Sequence, residues 1–457
     1  MTSLNQNRAR PLTPPRAYRI PVLGPIVGLA TQPLHFLEQA RERYGDIYTL
    51  DFGVTKVTML NSPHHIQHVL VDRAANYRKG GQLWDSIRAL LGNGLPVSEG
   101  DFWLRQRRMM QPHFHRQRLA GLTAHLVAAT SESLQHWDAA VGRPFNLAGA
   151  FSPITMRVIT RMLFGQGLAR KEIDDVSGAM AYMLDYITLG SLARGLPSWV
   201  PVPGAARFAR CRARVDEVIS RLIERQRAAA HADDTLLAML VAMVDDETGA
   251  KMDNVQLRDE VVSMFLAGYE TTSVTLAWLF YYLAQHPQVA ERIRAEVDEV
   301  LGEREPSFAD LPQLAYTRMA VMEALRVRPP VWWLTRTAVE DDTIDGLTIP
   351  AGSLVGTVFY AAHHHPDYWE HPERFEPERF TPERAAGRHK YAWAPFGAGQ
   401  RHCIGKDLAM MEAQVIVAMI FQRFNVEHLP TTARPVASST LRTGGAINVL
   451  LQRRGAR

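Results

Sequence analysis

Residues 396–409, Phe396-Gly-Ala-Gly-Gln-Arg-His-Cys403-Ile-Gly-Lys-Asp-Leu-Ala409, read as a tight glycine-rich loop that delivers one cysteine to the first turn of a helix. Gly397, Gly399 and Gly405 relax the backbone around Cys403, so the loop can fold sharply and a large flat group can approach the main chain. From Ile404 to Phe424 apolar residues recur at helical spacing, which sets Cys403 at a helix N-terminus. Orphan amide N–H groups and the positive end of the helix dipole favour thiolate over thiol there. A lone cysteine is most often a small buried hydrophobe, but the neighbours of Cys403 point elsewhere. Phe396 can pack on a planar cofactor, and Arg401 can pair with an anionic group on its rim. A zinc site needs several Cys or His ligands at short spacing, and the other cysteine, Cys211, is remote. One thiolate as sole protein ligand suits haem iron.

Phe396, Gly399, Arg401, Cys403 and Gly405 match Phe-x-x-Gly-x-Arg-x-Cys-x-Gly, so the chain resembles the cytochrome P450 monooxygenases. The resemblance runs from about residue 20 to the C-terminus. It implies a mainly α fold with small β regions, the triangular haem-thiolate prism of that family, built as a single domain over residues 20–457. Cys403 would be the axial ligand of haem b, with Phe396, Gly397, Arg401 and Gly405 against the cofactor.

In a chain of 457 residues, 46% hydrophobic and 21% charged, no linker-like run marks a second domain. The net charge of +4 is too weak to imply nucleic-acid binding. Residues 1–19 are polar and basic, with Pro11, Pro14 and Pro15, and are expected to be flexible. The apolar run Ile20–Leu29 is short and broken by Pro21, Gly24, Pro25 and Gly28, which fits neither a membrane anchor nor a signal peptide. Two distant cysteines make no disulfide framework and fit a reducing cytoplasm. A soluble cytoplasmic monomer is expected, as bacterial members of the family are soluble.

Further stretches extend the resemblance. After Asp253, which with Gln256 resembles a capping box, an apolar run continues to Ala284. Some thirty helical residues span roughly 45 Å, enough to cross a domain. Within it lie Ala267, Gly268, Tyr269, Glu270, Thr271 and Thr272, small and polar residues in a buried setting. The Thr271 hydroxyl can bond back to the Ala267 carbonyl and open the helix into a polar notch. In the family this Ala-Gly-x-Glu-Thr motif is the acid–alcohol pair that binds O2 and routes protons to it, so Glu270 and Thr271, with Ala267 and Gly268, inherit those roles by resemblance.

Trp103 and Arg107 share one face of a helix predicted over Asp101–Gln111. By resemblance this pair meets a haem propionate, and Arg336 matches a second propionate-binding arginine. Nearby Arg105, Arg108, His113, Arg116 and Arg118 can dock an acidic electron donor. Glu323 and Arg326 stand one turn apart on a helix ended by Arg328-Pro329-Pro330. In the family this pair joins an arginine of a Pro-Glu-Arg-Phe segment in a buried network; here that is Arg379, with Arg374 as the fallback.

The remaining stretches carry less chemistry. Ile47–Leu60 reads as two strands around Gly53, and Leu119–Ala230 as amphipathic helix broken at 142–144 and 197–204. Leu441–Leu451 reads as a hairpin around Gly444-Gly445 whose tip is a candidate pocket wall. Trp332 and Trp333, on a predicted strand, point opposite ways. His363, His364 and His365 cannot all face one ion from a strand, which argues against a metal site.

The constellation implies a haem-thiolate monooxygenase that inserts one oxygen atom from O2 into an apolar substrate, by hydroxylation or epoxidation. Electrons would come from NAD(P)H through separate partners, a ferredoxin or flavodoxin with its reductase. A peroxide-using haem-thiolate enzyme would not need Glu270 and Thr271, and a non-catalytic haem sensor would need no substrate pocket. The stretch Glu323–Arg336 is similar to bacterial terpene-oxidising members, and Trp84, Met264 and Trp332 suit a compact hydrocarbon. A terpenoid is therefore the expected substrate, with fatty acids, steroids and macrolide-type products as alternatives.

Overall fold

The apolar run after Asp253 folds as one 32-residue helix, Asn254–Gln285, and the helices Leu147–Phe164, Ala205–Ala228, Ala315–Val327 and Lys406–Arg423 are laid against it. Asp253 caps it by accepting the Gln256 N–H at 2.8 Å, and Pro287, which has no N–H to donate, starts the next helix. The computed structural model describes residues 12–18, 23–53, 55–165, 170–193, 203–228 and 234–455. In chain order the helices are α1 (Leu23–Thr31), α2 (Pro33–Tyr44), α3 (Pro63–Gln67), α4 (Gln82–Leu91), α5 (Gly100–Met110), α6 (Arg116–Trp137), α7 (Leu147–Phe164), α8 (Arg170–Ala193), α9 (Ala205–Ala228), α10 (Leu236–Ala242), α11 (Asn254–Gln285), α12 (Pro287–Val300), α13 (Ala315–Val327), α14 (Phe359–His363), α15 (Pro382–Ala385) and α16 (Lys406–Arg423). The strands are β1 (Ile47–Asp51), β2 (Lys56–Leu60), β3 (Tyr77–Arg78), β4 (Pro144–Asn146), β5 (Leu334–Ala338), β6 (Asp342–Ile344), β7 (Leu347–Ile349), β8 (Leu354–Thr357), β9 (Phe424–His428), β10 (Arg434–Ala437), β11 (Leu441–Gly444) and β12 (Asn448–Arg453). The fold is mainly α with small β regions, as expected.

The main core lies where α7 and α16 meet α11. Phe151, Phe280 and Phe421, one from each helix, form a continuous ladder with ring centroids 5.1 and 5.9 Å apart. A second core sits under the five-stranded sheet of order β1-β2-β8-β5-β3, where Leu37 of α2 packs with Tyr48, Met59 and Trp332. Only the β2–β8 pair is parallel; the others are antiparallel.

Several expectations need correction. Leu441–Leu451 is not a hairpin: β11 pairs with β10, whereas β12 pairs with β4 and β9. Gly445, at φ +93°, sends the chain from one sheet to the other. Within the segment 1–19, Arg16 bridges Thr49 of β1 and Ala17 is buried; residues 1–11 and 19 lie outside the described residues. Of the break at 197–204, residues 197–202 also lie outside them. An unforeseen helix end at Gly165, φ +62°, divides α7 from α8. Among the described residues, no helix is long and apolar enough to cross a membrane.

Candidate active site

The cysteine loop runs into α16 through glycines with different tasks. Gly397 and Gly399 adopt φ of +74° and +65°. A Cβ on Gly399 would stand 2.0 Å from the Leu70 carbonyl oxygen. Gly405 has an ordinary φ of −87° and is the N-cap of α16, so the helix begins three residues after Cys403 rather than at it. The Cys403 N–H donates to the Phe396 carbonyl at 2.8 Å, closing the loop. The sulfur opens into an internal cavity deep in the molecule. Burial pushes its thiol up, while the Gly405 amide, Arg107 and Lys406 pull it toward thiolate.

A buried polar brace holds this loop from behind. Glu323 and Arg326 on α13 are fully buried and paired twice, Nε to Oε2 at 2.7 Å and Nη2 to Oε1 at 2.8 Å. Arg379 lies 3.4 Å from Glu323 Oε1 and donates to the carbonyls of Glu370 and His371, whereas the Arg374 side chain stays at the surface. His363 carries the brace to the loop. Its Nδ1 meets the Arg326 carbonyl at 3.2 Å, and its Nε2 accepts the Ala394 N–H at 2.9 Å. The Ala394 carbonyl in turn accepts the Gly397 N–H. Burial, with the Arg326 charge, lowers the His363 pKa to about 3, so the ring is neutral and can accept that amide. His364 and His365 have other partners, the Tyr360 carbonyl and Asp46. Among the described residues, no group of three or more His, Cys, Asp or Glu could hold a metal ion.

The cavity, about 400 Å³, is walled mainly by apolar side chains of α4, α7 and α11 and by the cysteine loop. At one end four cations line it: Lys79, Arg107, Arg336 and Arg401. Arg401 lies 3.6 Å over the Trp103 ring and donates to Glu99 and the Ser98 carbonyl. Arg336 sits 5.4 Å and Lys79 5.6 Å from the Trp84 ring. Arg107 donates Nη1 to the His402 carbonyl at 2.9 Å, gripping the residue beside Cys403. Burial, reinforced by Arg401 and Arg336, lowers the Lys79 pKa to about 6; burial also brings Arg336 to about 10. The one carboxylate acting on Lys79, Arg336 and Arg401 is Glu99. Three arginines and Lys79, which an anion beside it would return to the charged form, stand against one carboxylate and face an apolar cavity with a sulfur in its wall; they fit a flat dianion bound through its metal, as haem is. Lys79 was not anticipated, because Arg78-Lys79-Gly80-Gly81 carries no distinguishing pattern.

Ala267, Gly268 and Thr271 line the same cavity from α11. The Thr271 hydroxyl donates to the Ala267 carbonyl at 2.7 Å, yet α11 stays helical throughout, so the expected opening is not observed. The space beside Gly268 belongs to α7: a Cβ there would stand 2.8 Å from Ile159 Cδ1. Glu270 does not line the cavity. Its Oε1 accepts from Thr440 at 2.8 Å and from Arg442 Nε at 2.6 Å, and Arg442 also donates to Asp185 of α8. Another carboxyl, not foreseen, does line it. Glu412 of α16 accepts from Thr272 at 3.2 Å, its Oε1 has no partner, and burial pushes it up to about 8. A glutamate inside the apolar run Met410–Ile420 is the signal that could have found it.

Trp84 and Met264 line the cavity, the former anchored by donating Nε1 to the Thr335 carbonyl at 3.0 Å. Trp332 does not. After Pro329-Pro330 the chain turns, β5 begins only at Leu334, and both tryptophans pack into the second core. Val331 and Leu334 take the wall position instead. In the basic cluster Arg108 is already paired with Asp245 and Glu247, and the Arg116 side chain lies outside the described residues.

A family model described as Cytochrome P450 matches residues 14–448. A relative from Streptomyces melanosporofaciens, "Cyclooctat-9-en-7-ol 5-monooxygenase", is 37% identical over 90% of this chain and 89% of its own. "Pentalenene oxygenase" of Streptomyces avermitilis is 29% identical over 92% of this chain and 93% of its own. Among solved structures, a cytochrome P450DA heme domain superposes with a TM-score of 0.87 at 24% identity, covering 98% of both chains.

Proposed function

The chain belongs to the cytochrome P450 family and is a monooxygenase, and we propose that its substrate is an apolar terpenoid, which it hydroxylates or epoxidises. The observation that carries this reading is the single cavity onto which Cys403, four cations, Thr271 and an apolar wall all face. The relatives named for cyclooctat-9-en-7-ol and pentalenene support the terpenoid class.

Haem, held through Cys403, would supply the activation of O2. Lys79, Arg107, Arg336 and Arg401, with Trp103, would hold its carboxylates, and Phe396 would pack against its plane. Trp84, Ile87, Leu95, Met264, Val331 and Leu334 orient a hydrocarbon and exclude water from it. The Thr271 hydroxyl holds a proton on the cavity wall, and Glu270 resupplies it from the Arg442–Asp185 side. Electrons come from NAD(P)H through a ferredoxin or flavodoxin with its reductase, docking near Arg105, His113 and Arg118. The working unit is one domain over residues 20–457, a cytoplasmic monomer without nucleic-acid or membrane partners.

The test has two parts. Reduced protein with carbon monoxide should give the strongly red-shifted Soret band of thiolate-bound haem, and its absence would overturn the cofactor assignment. A panel of terpenoid alcohols and hydrocarbons, fatty acids and steroids should then be titrated against the ferric protein and turned over with a surrogate ferredoxin and its reductase. Response to a fatty acid or steroid but to no terpenoid would refute the substrate class.

A further inference from the structure

The wall of the cavity includes Leu95 and Pro96, carried by the irregular segment 92–99 between α4 and α5. Arg88 donates to the Val97 carbonyl of this segment at 3.4 Å, and two of the segment's amides are taken by consecutive carboxylates of α11. Asp259 accepts the Asn93 N–H at 2.7 Å, and Glu260 accepts the Leu95 N–H at 3.0 Å. Both are buried, Glu260 completely. The seat is shaped for glycine. A Cβ on Gly92 would stand 2.2 Å from Asp259 Oδ1, and one on Gly94 would stand 2.1 Å from Ser263 Oγ and 2.8 Å from the Asp259 carbonyl oxygen.

Asp259 is balanced by Arg258, which also donates to the Leu90 carbonyl and reaches Asp216 of α9. Glu260 makes no ion pair among the described residues, and its Oε1 is without a partner. Burial pushes its carboxyl up to about 8, Asp259 adds to this and the Leu95 amide opposes it. A buried carboxyl held by one amide is costly, and Glu260 does not touch the cavity. Its one visible task is the loop. The far end of the segment is held by Arg401, through the Ser98 carbonyl and Glu99. The segment is thus pinned between the cofactor end and the helix that carries Thr271. Along that helix Glu260 and Thr271 are about 16 Å apart at the α-helical rise.

We propose that Asp259 and Glu260 are positioning residues for selectivity: they clasp segment 92–96 so that Leu95 and Pro96 hold the substrate in register with the Thr271 hydroxyl. This rests on the monooxygenase reading of the cavity. Without the clasp, the wall moves while the cofactor site is unchanged, so the substrate rotates and oxidation spreads to other carbons.

The experiment compares wild type with Glu260→Ala, Glu260→Gln and Gly94→Ala, the last disturbing the clasp from the loop side. Amide exchange in residues 93–97 should be at least about tenfold faster in Glu260→Ala and Gly94→Ala. Haem content and the carbon monoxide spectrum should not change. Affinity for phenylimidazole, read by its spectral shift, should fall about tenfold, and the ratio of oxidation products should broaden. Glu260→Gln keeps an acceptor oxygen for Leu95 and should restore all three readouts. Unchanged exchange in both loosened variants, or faster exchange with unaltered affinity and product ratio, would overturn the proposal. If wild type gives no product from any substrate, the monooxygenase reading fails, while exchange and phenylimidazole affinity still decide the clasp.

Discussion

Glu323→Gln is the perturbation whose cost can be worked most directly. The carboxylate accepts two bonds from Arg326 and one, at 2.8 Å, from the Glu376 N–H, with Arg379 Nε 3.4 Å away. Arg326, fully buried, also donates to the carbonyls of His363, Pro372 and Arg374. In the variant one oxygen remains and an amide NH2 is turned toward the guanidinium, so Arg326 keeps its charge without its counter-charge. Breaking a buried pair in this way costs about 3–5 kcal/mol. That is a large share of the roughly 5–15 kcal/mol that holds a typical domain folded. The loss is transmitted: Arg326 bonds His363, His363 bonds Ala394, and Ala394 bonds the Gly397 end of the cysteine loop. Urea unfolding followed by far-ultraviolet circular dichroism should show the drop in stability, and the reduced carbon monoxide spectrum should show partial loss of the thiolate band. An unfolding free energy within about 0.5 kcal/mol of wild type, with a full thiolate band, would refute the reasoning.

Three further outcomes are expected. Lys79→Ala should hand haem to apomyoglobin about tenfold faster than wild type, because a buried charge-assisted partner of a carboxylate is lost; an unchanged transfer rate would remove Lys79 from the cofactor site. Thr271→Ala should retain haem and ligand binding but release peroxide, with product per reducing equivalent falling about tenfold or more; fully coupled turnover would exclude its proton-holding role. The Glu260 carboxyl is pushed up to about 8 in the folded protein, against about 4.3 for an unperturbed glutamate. Below that lower value both states hold the proton and nothing is lost. Between the two values only the unfolded chain releases it, so stability falls as pH rises toward 8. Urea midpoints should decline over that window, and less steeply in Glu260→Gln; equal slopes would contradict the shift.

What was legible from sequence alone was whatever local spacing dictates. The glycines and cysteine of 396–405, the pair at 323 and 326, and Thr271 one turn after Ala267 are short-range patterns, and a helix or loop imposes their geometry directly. What was not legible depends on which distant segment arrives next to a residue. Trp332 looked like a pocket residue because a strand alternates, but the strand starts two residues later and the ring belongs to another core. Leu441–Leu451 had a hairpin pattern, yet β12 finds its partners in β4 and β9, remote in sequence. Glu270 has no local sign that Arg442 will hold it, and Lys79 none that it will join three arginines. The same distinction explains why Asp259 and Glu260 carry no signal in the sequence. Two adjacent carboxylates are bland in one dimension. They gain a task only because Gly92 and Gly94, more than 160 residues earlier in the chain, bare the Asn93 and Leu95 amides to α11. Long-range polar contacts of this kind bring selectivity to a cavity whose cofactor end is set by local motifs, which is why its chemistry is readable from the sequence before its substrate is.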